Sequence, residues 1–149
     1  MPADLLRKKF ECFRAFEPSE MDDILKFCER LIVPAEKELW AEGYGENYAA
    51  FILDGKIAVK KKTDFGGRNV IVGIYTAGSV VGELCLLTDK PRTVSANVLE
   101  QVDMVVLHNH KFEALIEQHP LLGLRLLKHI FLSISKRLTK SYERIASVF

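Results

Sequence analysis

The sequence predicts an α+β protein: a jelly-roll-like β-roll of about eight short strands, flanked by N-terminal helices and a long C-terminal helix. Two observations lead to this prediction. Between residues 31 and 107, short apolar runs are separated by turn residues, which is typical of a roll. On both sides of this region, apolar residues recur at helical spacing. We therefore expect a single domain over residues 1–149, with N-terminal helices at 1–30, the roll at 31–108 and C-terminal helices at 110–148.

Short helices are predicted before the roll. Phe10, Phe13 and Phe16 recur every third residue, so we expect them to share one buried face. A second helix is expected to begin at Glu17-Pro18-Ser19, with Ser19 as its cap and Asp22 three residues later completing a capping-box pattern.

The strands of the roll are predicted from apolar runs that are bounded by turn residues. Asp54-Gly55 lies between two of these runs and is typical of a type I′ hairpin turn, in which both central residues have positive φ. The expected strands lie at 32–33, 39–40, 50–53, 56–62, 69–75, 79–81, 94–99 and 104–107.

A long final helix is predicted over residues 121–148, about 40 Å at 1.5 Å per residue. Apolar residues follow alternating spacings of four and three along it, which is the pattern of a heptad seam that packs on a partner helix. We therefore expect a homodimer through this helix. Ser141 is the single polar member and either specifies the register or has a function. The seam consists of Leu127, Phe131, Ile134, Leu138, Ser141, Ile145 and Val148.

Composition excludes several classes of protein. A net charge of +1 gives no electrostatic reason to expect non-specific nucleic-acid binding. The three cysteines, Cys12, Cys28 and Cys85, are scattered and lack the spacing of metal ligands or of a disulfide framework. Neither a signal peptide nor a run of membrane-spanning length is recognisable, so a cytoplasmic protein without a membrane partner is expected.

The segment 78–96 carries the strongest functional signal. A strand ends at Val81, Gly82 permits a sharp turn, and residues 83–87 can form one short helical turn before Arg92. Free N–H groups at a helix start favour an anion, and an arginine fork binds phosphate with two hydrogen bonds. Glu83 repels phosphate, so we expect it to accept a hydrogen bond from a neutral hydroxyl. A phosphate and a hydroxyl one short turn apart describe the ribose phosphate of a nucleotide.

Three motifs in this segment, Gly82-Glu83-Leu84, Leu86-Leu87 and Pro91-Arg92-Thr93, resemble the phosphate-binding cassette of cyclic nucleotide-binding domains. These domains occur in the catabolite activator protein, in the regulatory subunits of cyclic-nucleotide-dependent kinases and in cyclic-nucleotide-gated channels. The resemblance implies a β-roll and a cyclic nucleotide as ligand, and no metal is expected because the cysteines lack the spacing of metal ligands. It also implies that Glu83 accepts the ribose 2′-hydroxyl and that Arg92 binds the cyclic phosphate, together with cassette N–H groups.

Two further segments share this resemblance. Glu42-Gly43-Tyr44-Gly45, followed by the run at 51–55, is similar to the family's first hairpin but one residue longer. In the catabolite activator protein, a pair of hydroxyl residues on the long helix contacts the adenine. When Lys136-Arg137-Leu138 is aligned with that helix, the pair corresponds to Ser141 and Tyr142, and this resemblance favours cyclic AMP. Thr93 is compatible with cyclic AMP and cyclic GMP. The predicted ligand-binding residues are Gly82, Glu83, Leu84, Cys85, Arg92, Thr93, Ser141 and Tyr142.

Three alternatives stay open at this point. Glu83 and Arg92 can form a surface ion pair on a β-hairpin protein, or the roll can serve as a ligand-free dimerisation module. His108-Asn109-His110 with Glu113 resembles part of the metal motif of cupins, a family of β-roll metalloenzymes. No set of residues typical of catalysis is recognisable, so we expect a protein that is not an enzyme.

The expected output of the module follows from its last helix. The sequence ends at Phe149, where that helix is predicted to end, so no DNA-binding domain is expected and the effector is unknown. Our hypothesis is that ligand binding pulls the cassette and the final helix together, and that a ligand favours this arrangement only through its extra affinity for it.

Overall fold

The fold comes from a computed structural model, which describes residues 2–44 and 47–149. Gly45, part of the segment that resembles the family's first hairpin, lies outside the described residues. Two 3₁₀ helices, Glu11–Ala15 and Glu83–Leu86, complete the regular elements. In chain order, the helices and strands are α1 (Pro2–Lys9), α2 (Pro18–Leu25), β1 (Glu29–Val33), β2 (Glu38–Trp40), β3 (Tyr48–Lys62), β4 (Asn69–Tyr75), β5 (Val80–Val81), β6 (Ser95–His108), α3 (Asn109–Gln118) and α4 (Pro120–Ala146).

The strands form an antiparallel sheet in the order β1-β6-β3-β4, with β2 also paired to β6 and β5 to β3. The two long strands, β3 and β6, pair along nearly their whole length, from Tyr48 opposite His108 to Lys60 opposite Ser95. Helices precede and follow the strands, and α4 is the longest of them. The predicted α+β class, with a β-roll and a long C-terminal helix, is confirmed.

The strand count differs from the expected eight, because the described residues form six strands. The runs predicted at 50–53 and 56–62 are both parts of β3, and those at 94–99 and 104–107 are both parts of β6. The hairpin predicted at Asp54-Gly55 is wrong, since these residues lie inside β3, where its register with β6 shifts. Both halves of β3 find their partner on the same strand, so the extra residues form β-bulges instead of a turn.

Successive residues of β3 point to opposite faces of the sheet and join two apolar clusters. Phe51 packs with the N-terminal helices and α4, with its ring 5.3 Å from that of Phe13. Phe10, Phe13 and Phe16 are all buried in this cluster, as predicted. The neighbouring Ile52 faces the second cluster, inside the roll, together with Trp40 and Tyr48.

Helix α2 begins at Pro18, within the predicted start, but the expectation that Ser19 caps it is wrong, because Glu17 is the N-cap residue. The main-chain N–H of Glu17 donates to Glu20 Oε1 at 2.9 Å, which gives the capping role to these two residues. Pro18 suits the first helical position, where a missing N–H costs nothing. Arg125 of α4 pairs with Glu20, which ties the long helix to α2.

Among the residues that the structure describes, none of the helices is both long enough and apolar enough to cross a lipid bilayer.

The bulge in β3 gives a prediction on stability. Gly55 has φ +99°, and an added Cβ would overlap the carbonyl oxygen of Gln101. Gly66 has φ +78° with open space around it, so Gly66→Ala carries only backbone strain of about 1–2 kcal/mol. We expect Gly55→Ala to lower the free energy of unfolding by at least about 1 kcal/mol more than that, because of the overlap. Urea titrations of the two variants measure the difference, and equal losses would contradict the bulge.

Candidate functional site

The segment between β5 and β6 forms the centre of the candidate site. Strand β5 pairs with Ala50 and Phe51 of β3 and ends at Val81. Gly82 follows in the left-handed region, with φ +76°, and the 3₁₀ helix Glu83–Leu86 starts directly after it. A Cβ at position 82 would lie 2.5 Å from Arg92 Nη1 and 2.9 Å from Trp40 Cη2. Glycine therefore permits both the turn and the close approach of these side chains.

The Arg92 side chain is buried, with 8% of its surface exposed. Its Nη1 donates to the carbonyl oxygen of Gly82 at 3.1 Å, and its Nη2 donates to that of Tyr48 at 2.7 Å. The guanidinium lies 3.8 Å from the centre of the Trp40 ring and 5.4 Å from that of Tyr48. Burial lowers the pKa of Arg92, although an arginine in a protein keeps its charge. The site thus holds a desolvated cation.

A small cavity of about 50 Å³ lies beside the guanidinium. This volume accommodates a few water molecules or a small anion. It is well below the roughly 300–1,000 Å³ of sites that bury a whole small molecule. The cavity is lined by Trp40, Gly82, Leu84, Cys85, Thr88, Lys90, Pro91, Arg92, Thr93 and Val94.

The Trp40 indole closes one side of this cavity. Only 2% of the residue is exposed, and its Nε1 has no hydrogen-bond partner within residues 2–44 and 47–149. A buried N–H group without a partner costs about 1–3 kcal/mol. Strand β2 holds this donor opposite Ala96 of β6, so the roll itself fixes its place.

Glu83 connects the cassette to the last helix. Its Oε1 accepts a hydrogen bond from Arg137 Nη2 at 2.9 Å, and Arg137 Nη1 donates to the carbonyl oxygen of Val80 at 2.9 Å. The Arg137 guanidinium also lies 4.9 Å from the centre of the Tyr75 ring on β4. Because Arg92 is buried, the alternative of a surface ion pair between Glu83 and Arg92 is wrong.

The structure brings most of the predicted ligand-binding residues together. Two of them lie elsewhere: Tyr142 is 60% exposed, and Ser141 Oγ donates to the carbonyl oxygen of Arg137 at 3.2 Å. Ser141 is therefore one helical turn beyond the arginine that contacts the cassette. Those that line the cavity are Gly82, Leu84, Cys85, Arg92 and Thr93, with Glu83 adjacent to it.

Three residues of the site were not predicted from the sequence: Trp40, Tyr48 and Arg137. The first two come from strands that are distant from the cassette in sequence, and no local motif marks them. A signal existed for Arg137, because it precedes Ser141 by four residues and therefore shares its helix face.

The histidine motif is split between two elements. His108 ends β6, and Asn109 begins α3, with the rings of His108 and His110 5.6 Å apart. Within the described part of the chain, His, Cys, Asp and Glu side chains form no group of three or more that is suited to a metal ion. The cupin-like alternative gains no support from this geometry.

An apolar groove of about 220 Å³ runs between the cassette and α4. Its outer residues are exposed, with 52% for Leu84, 64% for Leu87 and 69% for Phe131. Phe131 belongs to the predicted heptad seam, and the later seam residues Leu138 and Ile145 are also at least half exposed. The apolar side of α4 is thus only partly covered by its own chain.

Comparisons with known proteins agree with this architecture. The chain is 26% identical over 111 residues to the Cyclic AMP receptor protein of Thermus thermophilus, a match that covers 74% of this chain and 51% of that protein. The chain thus spans about half the length of this relative. A cyclic nucleotide-binding domain from Methylobacillus flagellatus superposes with a TM-score of 0.84 at 23% identity, covering 99% of this chain and 85% of that one.

The regulatory domain of Toxoplasma gondii PKA, solved with cAMP, superposes with a TM-score of 0.64 at 21% identity, covering 75% of this chain and 42% of that one. Residues 30–119, more than half of the chain, match the family model of the cyclic nucleotide-binding domain. That family is made up of regulatory domains, not enzymes. The chain, with its cassette between β5 and β6, therefore belongs to the cyclic nucleotide-binding domain family.

Proposed function

We propose that this chain is a cyclic nucleotide-sensing regulatory module that binds 3′,5′-cyclic AMP at the cassette, with cyclic GMP as a second possible ligand. The main support for the proposal is the buried Arg92 guanidinium, which lies beside a cavity that is also lined by the 3₁₀ helix Glu83–Leu86. A cyclic phosphate is a monoanion that such a cation can bind with two hydrogen bonds. The name of the Thermus relative and the cAMP bound by the Toxoplasma domain support this choice of ligand.

Glu83 is proposed to recognise the ribose. An ionised carboxylate has about four acceptor positions, and the contact with Arg137 uses one oxygen of the two. The 2′-hydroxyl is a neutral donor, so it can bind beside Glu83 while the phosphate binds at Arg92. Ser141 and Tyr142 are proposed to contact the base from α4.

The proposed coupling runs from the cavity to α4. The cavity of about 50 Å³ matches a phosphate-sized group and is open to solvent, so the ribose and base would lie outside it, toward Glu83 and α4. Arg137 joins α4 to both Glu83 and Val80, so a shift of the cassette is transmitted to this helix. A ligand that binds more tightly when the cassette and α4 lie together pulls them together only through its differential affinity for that arrangement.

One observation favours a second candidate, a ligand-free dimerisation module. Arg92 already donates to two carbonyl groups and stacks on Trp40, so its buried charge has partners within the protein. Calorimetric titration with cyclic AMP and cyclic GMP separates the candidates. Binding of neither nucleotide would overturn the sensing function and favour the dimerisation module.

Replacing the cation tests its role directly. Arg92→Gln should weaken cyclic AMP binding by about 2–5 kcal/mol, because one partner of a buried charge pair is lost. Arg92→Lys should restore only part of this, since an ammonium lacks the planar fork. Arg68→Gln, an exposed arginine before β4, is the matched control and should bind normally. Calorimetry gives the affinities, and circular dichroism confirms that each variant is folded; equal affinities would remove Arg92 from the site.

The role of Glu83 is tested with a change in both protein and ligand. Glu83→Gln should weaken cyclic AMP binding about tenfold or more, because a hydrogen bond to a charged acceptor contributes about 1.5–3 kcal/mol. The same variant should bind 2′-deoxy cyclic AMP as the unaltered protein does, since that ligand lacks the hydroxyl. A similar loss with both ligands would show that Glu83 acts through Arg137 or folding instead.

The homodimer and its coupling to ligand are tested by sedimentation. Leu138→Lys places a charge in the half-exposed seam of α4 and should raise the dimer dissociation constant about tenfold or more. Thr139→Lys makes the same charge change one residue away from the seam and should leave it nearly unaltered. Saturating cyclic AMP should change the dissociation constant of the unaltered protein; an identical value with and without ligand would contradict the coupling.

A further inference from the structure

We propose that Trp40 is a specificity-determining residue of the cassette site, whose indole N–H donates a hydrogen bond to the anionic group that Arg92 binds. The inference rests on the proposed function and names one more contact to the same phosphate. It assigns a ligand-binding role to a residue outside the cassette segment, on strand β2.

The first observation is the unsatisfied donor. Trp40 is 2% exposed, lines the cavity, and has an Nε1 without a partner among the described residues. Buried side-chain donors in native proteins nearly always have an acceptor. An acceptor supplied by a ligand in the adjoining cavity would satisfy this group.

The second observation is the position of the indole relative to the cation. The ring centre lies 3.8 Å from the Arg92 guanidinium carbon, and both side chains line the same cavity. Both side chains border the same space of about 50 Å³, so an anion that Arg92 binds there also lies beside the Trp40 ring. Gly82 keeps this arrangement open, since any Cβ there would press on both groups.

The chemistry of the two donors defines the ligand class. An indole nitrogen and a guanidinium both donate and cannot accept, so the bound group must offer at least two acceptor oxygens and a negative charge. The cyclic phosphodiester of a 3′,5′-cyclic nucleotide has two exocyclic oxygens. The Arg92 fork can donate to both of them, and we propose that one of the two also accepts from the Trp40 N–H.

A purely structural role for Trp40 predicts something different. Its ring packs edge-on against Tyr48, with ring centres 5.4 Å apart, and it stacks on Arg92. Both contacts need an aromatic ring but not the N–H. Trp40→Phe retains an aromatic ring and removes the donor, so it separates the two roles.

Trp40 is the sole tryptophan of the chain, so an amide correlation spectrum of ¹⁵N-labelled protein contains one indole N–H signal. With cyclic AMP we expect this signal to move downfield and its hydrogen exchange to slow. Of the two phosphorothioate diastereomers of cyclic AMP, each with one exocyclic oxygen replaced by sulfur, one should give a clearly smaller shift. An indole signal that does not respond to bound cyclic AMP would overturn the inference.

Calorimetry of Trp40→Phe completes the test. The variant should bind cyclic AMP about tenfold more weakly, the loss expected for one hydrogen bond to a charged group. Without ligand, the melting temperature of the variant should fall by less than this loss of affinity would suggest, because the removed donor has no hydrogen bond in the ligand-free protein. Equal affinity of the variant and the unaltered protein overturns the role of Trp40 and leaves the proposed function intact. If the unaltered protein binds no cyclic nucleotide, both proposals fail, and if Trp40→Phe does not fold, the indole signal of the unaltered protein decides.

Discussion

The arrangement of the site depends on one buried cation. Moving a guanidinium out of water is costly unless polar groups and aromatic faces replace the water. Here the replacement comes from the carbonyl groups of Gly82 and Tyr48 and from the Trp40 ring. These residues belong to β2, to β3 and to the turn after β5, so the cation links three parts of the roll. We expect displacement of Arg92 to disturb all three.

The long pairing of β3 with β6 places these partners. Tyr48 lies at the start of β3, opposite His108, and the following residues alternate between the two apolar clusters. A shift of one residue would turn Tyr48 and Ile52 to the other face. The bulges around Asp54 and Gly55 bend β3 at a point beyond the part that carries Tyr48. The register between Tyr48 and β6 is therefore kept.

The sequence was most informative where the chemistry is contiguous. Gly82, Glu83 and Arg92 fall within eleven residues, so turn geometry and charge were enough to predict an anion site there. Trp40 reaches the same site from β2, and a single sequence contains no signal for that proximity; for Arg137 the only signal was its helical spacing from Ser141. Asp54-Gly55 failed as a hairpin for the opposite reason: its local signal is strong, but tertiary pairing of both flanks with β6 overrides it.

The size of the cavity and the position of Arg137 both bear on how nucleotide binding could affect α4. A space of about 50 Å³ beside Arg92 matches a phosphate, so the proposed ribose would lie outside it, toward Glu83. Glu83 and Val80 are the groups that Arg137 holds, and Ser141 lies one turn further along α4. A ribose that binds Glu83 would therefore lie beside the contact that Arg137 of α4 makes with the same carboxylate. On this account, the free energy of nucleotide binding is divided between the new ligand contacts and the repacking of α4. The repacking changes the exposed seam and can therefore change the affinity for a partner that binds there.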